Sequence, residues 1–265
     1  MAEGPTVRGG SRLRRRLYRL VRATTGLRIS ARIRYLDSSA FGGDFEARSD
    51  VARRIVPAPL EIIEHAPGRT LVTVLALDHR RIDRLSPHRE LAITLPVRYG
   101  GEPHGSFAIA VLVTTEEARW SSVELYGFPS LVANVRAERE HEAWISRVSI
   151  EGRHVLTLAV HEQPISPAHE RVELLGIRDD RRVVEARLAV SGEAARSDLP
   201  GGATLELGDH PLADPLRRLE VSGESCAHLL YPHALGELSK PRALGRVPRD
   251  AVIATRGLAP AVLSR

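Results

Sequence analysis

Hydrophobic and polar residues switch period along the chain, and each switch predicts an element. Leu13, Leu17, Leu20 and Val21 recur at i, i+4, i+7 and i+8 behind Gly9-Gly10-Ser11. That stripe, with Ser11 as N-cap, predicts a short amphipathic helix ending near Thr24-Thr25-Gly26. Leu27, Ile29, Ala31, Ile33 and Tyr35 then alternate with Arg28, Ser30, Arg32 and Arg34, a half-buried strand with an arginine face. Gly42-Gly43 breaks this pattern. Ser49 or Asp50 caps a short helix through Val51, Ala52, Ile55 and Val56, which Pro57 and Pro59 stop. Strand-like segments follow at 60–65, 69–78, 90–98, 106–114, 131–137, 143–150, 153–160, 183–192, 203–207 and 251–256. Gly100-Gly101, Glu151-Gly152, Asp179-Asp180 and Gly201-Gly202 mark turns between several of them. Thr114 or Thr115 caps a helix over Glu116–Ser121. Helical pattern between strands is sparse, which argues against a parallel βαβ sheet. The expected class is mainly β (α+β): a closed barrel or a sandwich with short peripheral helices.

Length and charge refine this picture. The 265 residues suffice for one large domain or two small ones, and a hydrophobic share of 43% against 27% charged is that of a globular chain. No window of about 18 apolar residues predicts a membrane helix. Arginines interrupt the N-terminus, so no secretory signal is expected there. Cys226 is the single cysteine, which fits a reducing, cytoplasmic setting and allows neither an internal disulfide nor a cysteine-based zinc site. The basic residues are arginines except for Lys240. Residues 1–35 hold ten arginines and one acid, a net +9, whereas the remaining 230 residues carry −4. Three regions follow: a basic headpiece over 1–44, a body over 45–235, and a C-terminal extension over 236–265 packed on or trailing from it. Arg12, Arg14, Arg15, Arg16, Arg19 and Arg22 surround the headpiece stripe, and docking on the acidic body or a neighbouring subunit explains them without an outside partner. Anionic lipid, nucleic acid or an acidic carrier protein remains an alternative for residues 11–25 alone.

Chemical motifs are few. There is no Walker loop, no GxGxxG and no HExxH, and the eleven histidines include no pair spaced for a metal on one strand or helix. No metal and no cofactor is expected. Gly223-Glu224-Ser225-Cys226-Ala227 faintly has the form of a nucleophile elbow, but the strand–turn–helix setting that motif needs is missing.

Four segments, in order, carry a resemblance. Val51 to Ile62 contains a helix and then Val56-Pro57-Ala58-Pro59-Leu60-Glu61; Glu90 to Val97 places an acid ahead of Leu95-Pro96-Val97; Ser122-Val123-Glu124-Leu125-Tyr126-Gly127-Phe128-Pro129-Ser130-Leu131 follows; and Leu205 to Leu216 is a late segment containing His210. Over about 45–235 the chain resembles the acetoacetate decarboxylase superfamily. The resemblance implies a closed antiparallel β-barrel or cone with a small pocket, in a homo-oligomer. In decarboxylating members the first lysine after the aromatic-Pro pair forms a Schiff base, and the second lowers its pKa. Ser130 and Leu131 stand at those positions here, and Ser122-Val123 replaces a Gly-Arg. Neither Ser130 nor Leu131 can form an imine.

A pocket with one or two carboxylates is therefore expected, with Glu90 and Glu124 as candidate catalytic groups and Ser130, Leu131, Phe128, Tyr126 and Arg98 as candidate substrate contacts. Glu90 is the stronger, since the family places that acid inside the pocket, where burial favours proton exchange near neutral pH. The opposing reading pairs Glu90 and Glu124 with arginines. The expected activity is cofactor-independent acid/base chemistry of lyase, dehydratase, isomerase or cyclase type on a keto-acid or polyketide-like molecule, in bacterial secondary metabolism. The alternative is a non-catalytic small-molecule binder, and a decarboxylase proper is disfavoured by the missing lysines.

Overall fold

The structure is a computed structural model that describes residues 32–248 except Arg84 and Asp180. The helix expected over 11–25, the start of the strand at 27–35 and the strand at 251–256 lie outside the described residues.

Fourteen strands among the described residues carry the fold. They are β1 (Ile33–Arg48), β2 (Leu60–Ile62), β3 (Arg69–Ile82), β4 (His88–Tyr99), β5 (Glu102–Val113), β6 (Ser130–Val132), β7 (Asn134–Glu140), β8 (Ala143–Ile150), β9 (Arg153–His161), β10 (Ser166–Ile177), β11 (Arg182–Ser197), β12 (Ala203–Leu207), β13 (Ser225–Leu238) and β14 (Arg242–Arg246). Seven of them close a ring in the order β4, β3, β1, β13, β11, β10, β5 and back to β4. β2, β6 and β14 extend it at β4, β5 and β11. A second sheet, β12-β9-β8-β7, is separate. The closed barrel is thus mixed rather than wholly antiparallel, because β10 meets β5 in parallel at Leu174–Ser106 and Leu175–Phe107.

Period-two alternation gives each ring strand two different faces. On β4, Leu91, Ile93 and Leu95 point out and are buried, while Glu90, Ala92 and Thr94 point inward. The outward set joins Phe41, Phe45, Val72 and Val74 from the ring, with Val148, Leu156, Leu158 and Val160 from the second sheet, in the main hydrophobic cluster. The core therefore lies between the barrel and the four-stranded sheet, and the barrel interior is left for a cavity.

Four strands differ from the pattern read along the chain. Gly42-Gly43 does not end a strand but lies within β1, so residues 33–44, grouped with the headpiece on charge, supply a central barrel strand. A Cβ on Gly42 would sit 2.3 Å from the Val74 carbonyl oxygen, so these glycines admit close neighbours rather than a turn. β10, β13 and β14 were not visible as strands, and β14, assigned to the C-terminal extension, pairs with β11. β13 is interrupted by a register shift opposite Ser38 and Ala40, where Pro232 sits, and this breaks its alternation.

The helices are short: α1 (Ser49–Ile55), α2 (Glu116–Ser121), which continues as a π-helical turn over Ser122–Tyr126, and α3 (Asp214–Arg218). Thr115 caps α2, its hydroxyl accepting from the Ala118 amide at 3.2 Å. α1 begins at Ser49, the first of the two expected caps: Arg48 is its N-cap, and the Ser49 hydroxyl donates to Glu64 instead. No helix among the described residues is long and apolar enough to cross a membrane.

Candidate functional site

The inward faces of the ring strands enclose a cavity of about 300 Å³, within the usual range for small-molecule sites. Its wall is mostly aliphatic, with Ile33, Ala40, Leu75, Leu77, Val172, Leu174, Leu188, Val190 and Leu238. Polar groups gather in two places. Asp44, Thr73, Glu170, Arg196 and His228 form one group, in which Arg196 pairs with Glu170 at 3.1 Å and the Thr73 hydroxyl donates to Asp44 at 2.5 Å. Tyr35, Ser38, His79, His88 and Glu90 form the other. His79 lies six residues beyond Thr73 on β3, about 20 Å along a strand. α2 and the π-helical turn border the Glu90 group, contributing Ala118, Ser121, Ser122 and Tyr126, with Tyr126 stacked on Phe128 at 5.5 Å.

The register of β3 and β4 builds the Glu90 group. His79 is paired directly with His88, and Glu90 follows two residues later on the same face. The His79 ring is fixed from two sides, by Ser38 Oγ at 2.8 Å from Nδ1 and by Tyr35 stacked at 4.2 Å. His88 Nδ1 donates to the Ser86 carbonyl at 2.9 Å. Ligand atoms of His79, His88 and Glu90 lie within 4.8 Å of one another, so these three residues could hold a metal ion.

Enclosure governs the protonation states. Burial pushes the Glu90 carboxyl from its ordinary 4.5 up to about 7, because no opposite charge offsets the lost hydration. Glu90 is partly buried and lines the cavity wall. His79 is held well below its usual value by burial and then by His88, and His88 is lowered by burial despite its bond to Ser86. Tyr35 is raised by burial and by Glu90. The group therefore holds two neutral imidazoles beside a carboxyl able to take or release a proton near neutral pH.

Of the candidates named from the sequence, Glu90, Tyr126 and Phe128 line the cavity. Glu124 is half-buried in the π-helical turn and is not on the wall. Ser130 is buried on β6, beside Val111 of β5, and its hydroxyl has no hydrogen-bond partner among the described residues. Leu131 points the other way, toward a small void shared with Ile93, Leu112, Val155 and Leu212. Arg98 lies eight residues past Glu90, beyond the ladder irregularity after Val97, and donates to the Gly101 carbonyl at 3.3 Å. No lysine lines the cavity, and Lys240 is exposed in the connection after β13. Tyr35, Ser38, His79 and His88 were not singled out from the sequence. The available signal was His88-x-Glu90, which puts two donors on one strand face; His79 joins them only through the hairpin register.

The family model described as acetoacetate decarboxylase matches residues 21–235. Among solved structures, an acetoacetate decarboxylase from Legionella pneumophila aligns with a TM-score of 0.61 at 18% identity, covering 81% of this chain and 87% of that one. The enduracididine biosynthesis enzyme MppR complexed with pyruvate aligns at 0.61 and 16%, covering 82% and 91%. An acetoacetate decarboxylase-like enzyme from Sphingomonas wittichii RW1 aligns at 0.52 and 16%, covering 82% and 95%. No curated protein sequence matches the chain significantly. At such identities the structural likeness carries the fold alone.

Proposed function

The chain belongs to the acetoacetate decarboxylase family, and from that premise we propose that it is a lysine-independent member that acts on a small carbonyl compound inside the barrel. The observation that carries this reading is the Glu90 carboxyl, enclosed on the wall of a cavity that no lysine reaches. Imine formation needs a free amine beside the substrate carbonyl. Ser130 and Leu131 occupy the positions read from the sequence as the lysine pair, and Lys240 lies outside the cavity.

Glu90 is assigned the proton transfers: removal of a proton beside the carbonyl, or delivery of one to a leaving group. Lyase, dehydratase, isomerase and cyclase reactions all use that step. The aliphatic wall suits a keto acid with a hydrocarbon body or a polyketide-like fragment, and pyruvate, with which MppR is complexed, is the first compound to test. A homo-oligomer is the proposed assembly.

A thermal-shift screen with α- and β-keto acids and enones, followed by mass analysis of each stabilising compound, tests the reading. Conversion that falls at least about 100-fold in Glu90→Gln, yet persists in Lys240→Ala and Glu124→Gln, is the expected result. A compound that binds and stays intact identifies a non-catalytic binder instead. Carbon dioxide released from acetoacetate in a Lys240-dependent manner overturns the lysine-independent mechanism.

A further inference from the structure

His79, His88 and Glu90 offer a chemistry beyond proton transfer. The cross-strand pairing of His79 with His88, and the two-residue step to Glu90, put all three side chains on the cavity wall. One donor atom from each lies within 4.8 Å of the other two. Both Nδ1 atoms are engaged, with Ser38 Oγ and the Ser86 carbonyl, which leaves each Nε2 without a hydrogen bond among the described residues. The Glu90 carboxylate has neither a hydrogen bond nor an ion pair among them. Two buried imidazoles and a partly buried carboxyl thus bring donor atoms together on the wall of a cavity, where an ion has room to sit.

We propose that His79 and His88, through Nε2, and Glu90, through a carboxylate oxygen, bind one divalent first-row transition-metal ion, with its remaining coordination positions open to the cavity. Two imidazoles and one carboxylate suit Zn²⁺, Fe²⁺, Mn²⁺ or Co²⁺, whereas Mg²⁺ and Ca²⁺ require oxygen shells that this wall does not supply. Ser38 and the Ser86 carbonyl serve as the outer hydrogen bonds that orient ligating histidines and set their tautomers. Tetrahedral ligands about 2.1 Å from an ion lie about 3.4 Å apart, so side-chain rotations need to draw the widest pair together by at most about 1.4 Å. An ion here would polarise a carbonyl oxygen in the cavity, an electrophilic role that needs no lysine. That use rests on the function proposed above, but binding does not. While ligating, Glu90 is not the proton carrier, which makes the two readings separable.

The full-length protein, stripped with EDTA and dialysed, is titrated with Co²⁺ by visible absorption and loaded with Zn²⁺ for elemental analysis. The expected result is one ion per chain, with affinity reduced at least tenfold in His79→Ala, His88→Ala and Glu90→Gln and about tenfold in Ser38→Ala. Circular dichroism checks each fold, and the near-isosteric Glu90→Gln also loses the thermal stabilisation by Zn²⁺. Unchanged Co²⁺ affinity in a variant lacking all three donors, or no binding by the wild type, overturns the proposal. If the stripped protein binds no Co²⁺ but retains Glu90-dependent turnover, the metal proposal falls and the acid/base reading stands. If Co²⁺ binds at these residues and no carbonyl compound is converted, the metal proposal stands and that reading falls.

Discussion

At the scale of single residues, the same burial that shifts Glu90 also acts on the histidines, with opposite sign. A carboxyl deprived of water holds its proton longer, whereas an imidazole loses its proton sooner. His228, on the cavity wall far from Glu90, is buried with neither ring nitrogen hydrogen-bonded among the described residues. Burial, and less strongly His161, lowers its pKa from 6.5. A depressed folded-state pKa contributes stability above the unfolded-state value, and that stability is lost as pH falls through the folded-state value. Between pH 7 and pH 5 His228, like His79 and His88, therefore destabilises on acidification, while Glu90, raised to about 7, acts with the opposite sign. Urea unfolding at the two pH values should show a change that is shifted toward greater stability at pH 5 in His228→Gln relative to the wild type. An equal change in both proteins rules out His228 as a source. Glu90 was picked out because the segment through Leu95-Pro96-Val97 resembles a family segment with an acid at that place; its two histidine neighbours were not, because adjacency across strands leaves no mark on spacing along the chain.

Elements divide into those set locally and those set by their neighbours. α2 is local: Thr115 accepts from the Ala118 amide, Glu116 and Glu117 occupy the first turn, and Ala118 faces inward. This agrees with the cap expected at Thr114 or Thr115, because capping chemistry acts over three residues. Thr115→Ala should cost about 1 kcal/mol in chemical unfolding and loosen the helix that borders the Glu90 group. An unchanged midpoint would show that packing alone holds α2. β1 is the opposite case. Gly42 and Gly43 have turn composition, yet the backbone continues between β3 and β13, and Gly42 lets it pass where a Cβ would clash with the Val74 carbonyl. β13 likewise survives Pro232, since a bulge tolerates a residue without an amide hydrogen.

For the whole molecule, closure of the ring is the decisive event. Six of its seven joints are antiparallel, and β5–β10 is a short parallel contact. At this joint Gly105 has φ +156°, and a Cβ there would lie 2.2 Å from the Glu173 carbonyl oxygen. Gly105→Ala should weaken the seam, destabilising the protein by about 1–3 kcal/mol and reducing ligand-induced thermal shifts, since β5 and β10 both contribute to the wall. A variant as stable as the wild type, with unchanged shifts, would falsify the claim that this joint is tightly packed. The second sheet stabilises the barrel from outside, burying the outward faces of β1, β3, β4 and β5. An interior filled by lumen side chains is therefore not required, and the cavity persists.

The sequence by itself determined what acts over short distances. Alternation at 143–150, 153–160 and 203–207 marked β8, β9 and β12, the capping threonine marked α2, and ordered segments between 51 and 216 marked the family. It also determined that the protein has one lysine, and thereby which chemistry to doubt. Tertiary structure decided the rest, because strand register and ring closure pair residues that are far apart in the chain. The pairing of His79 with His88, the position of Glu90 beside them, the outward turn of Leu131 and the exclusion of Glu124 and Arg98 from the wall all depend on that pairing. Local propensity has no term for it.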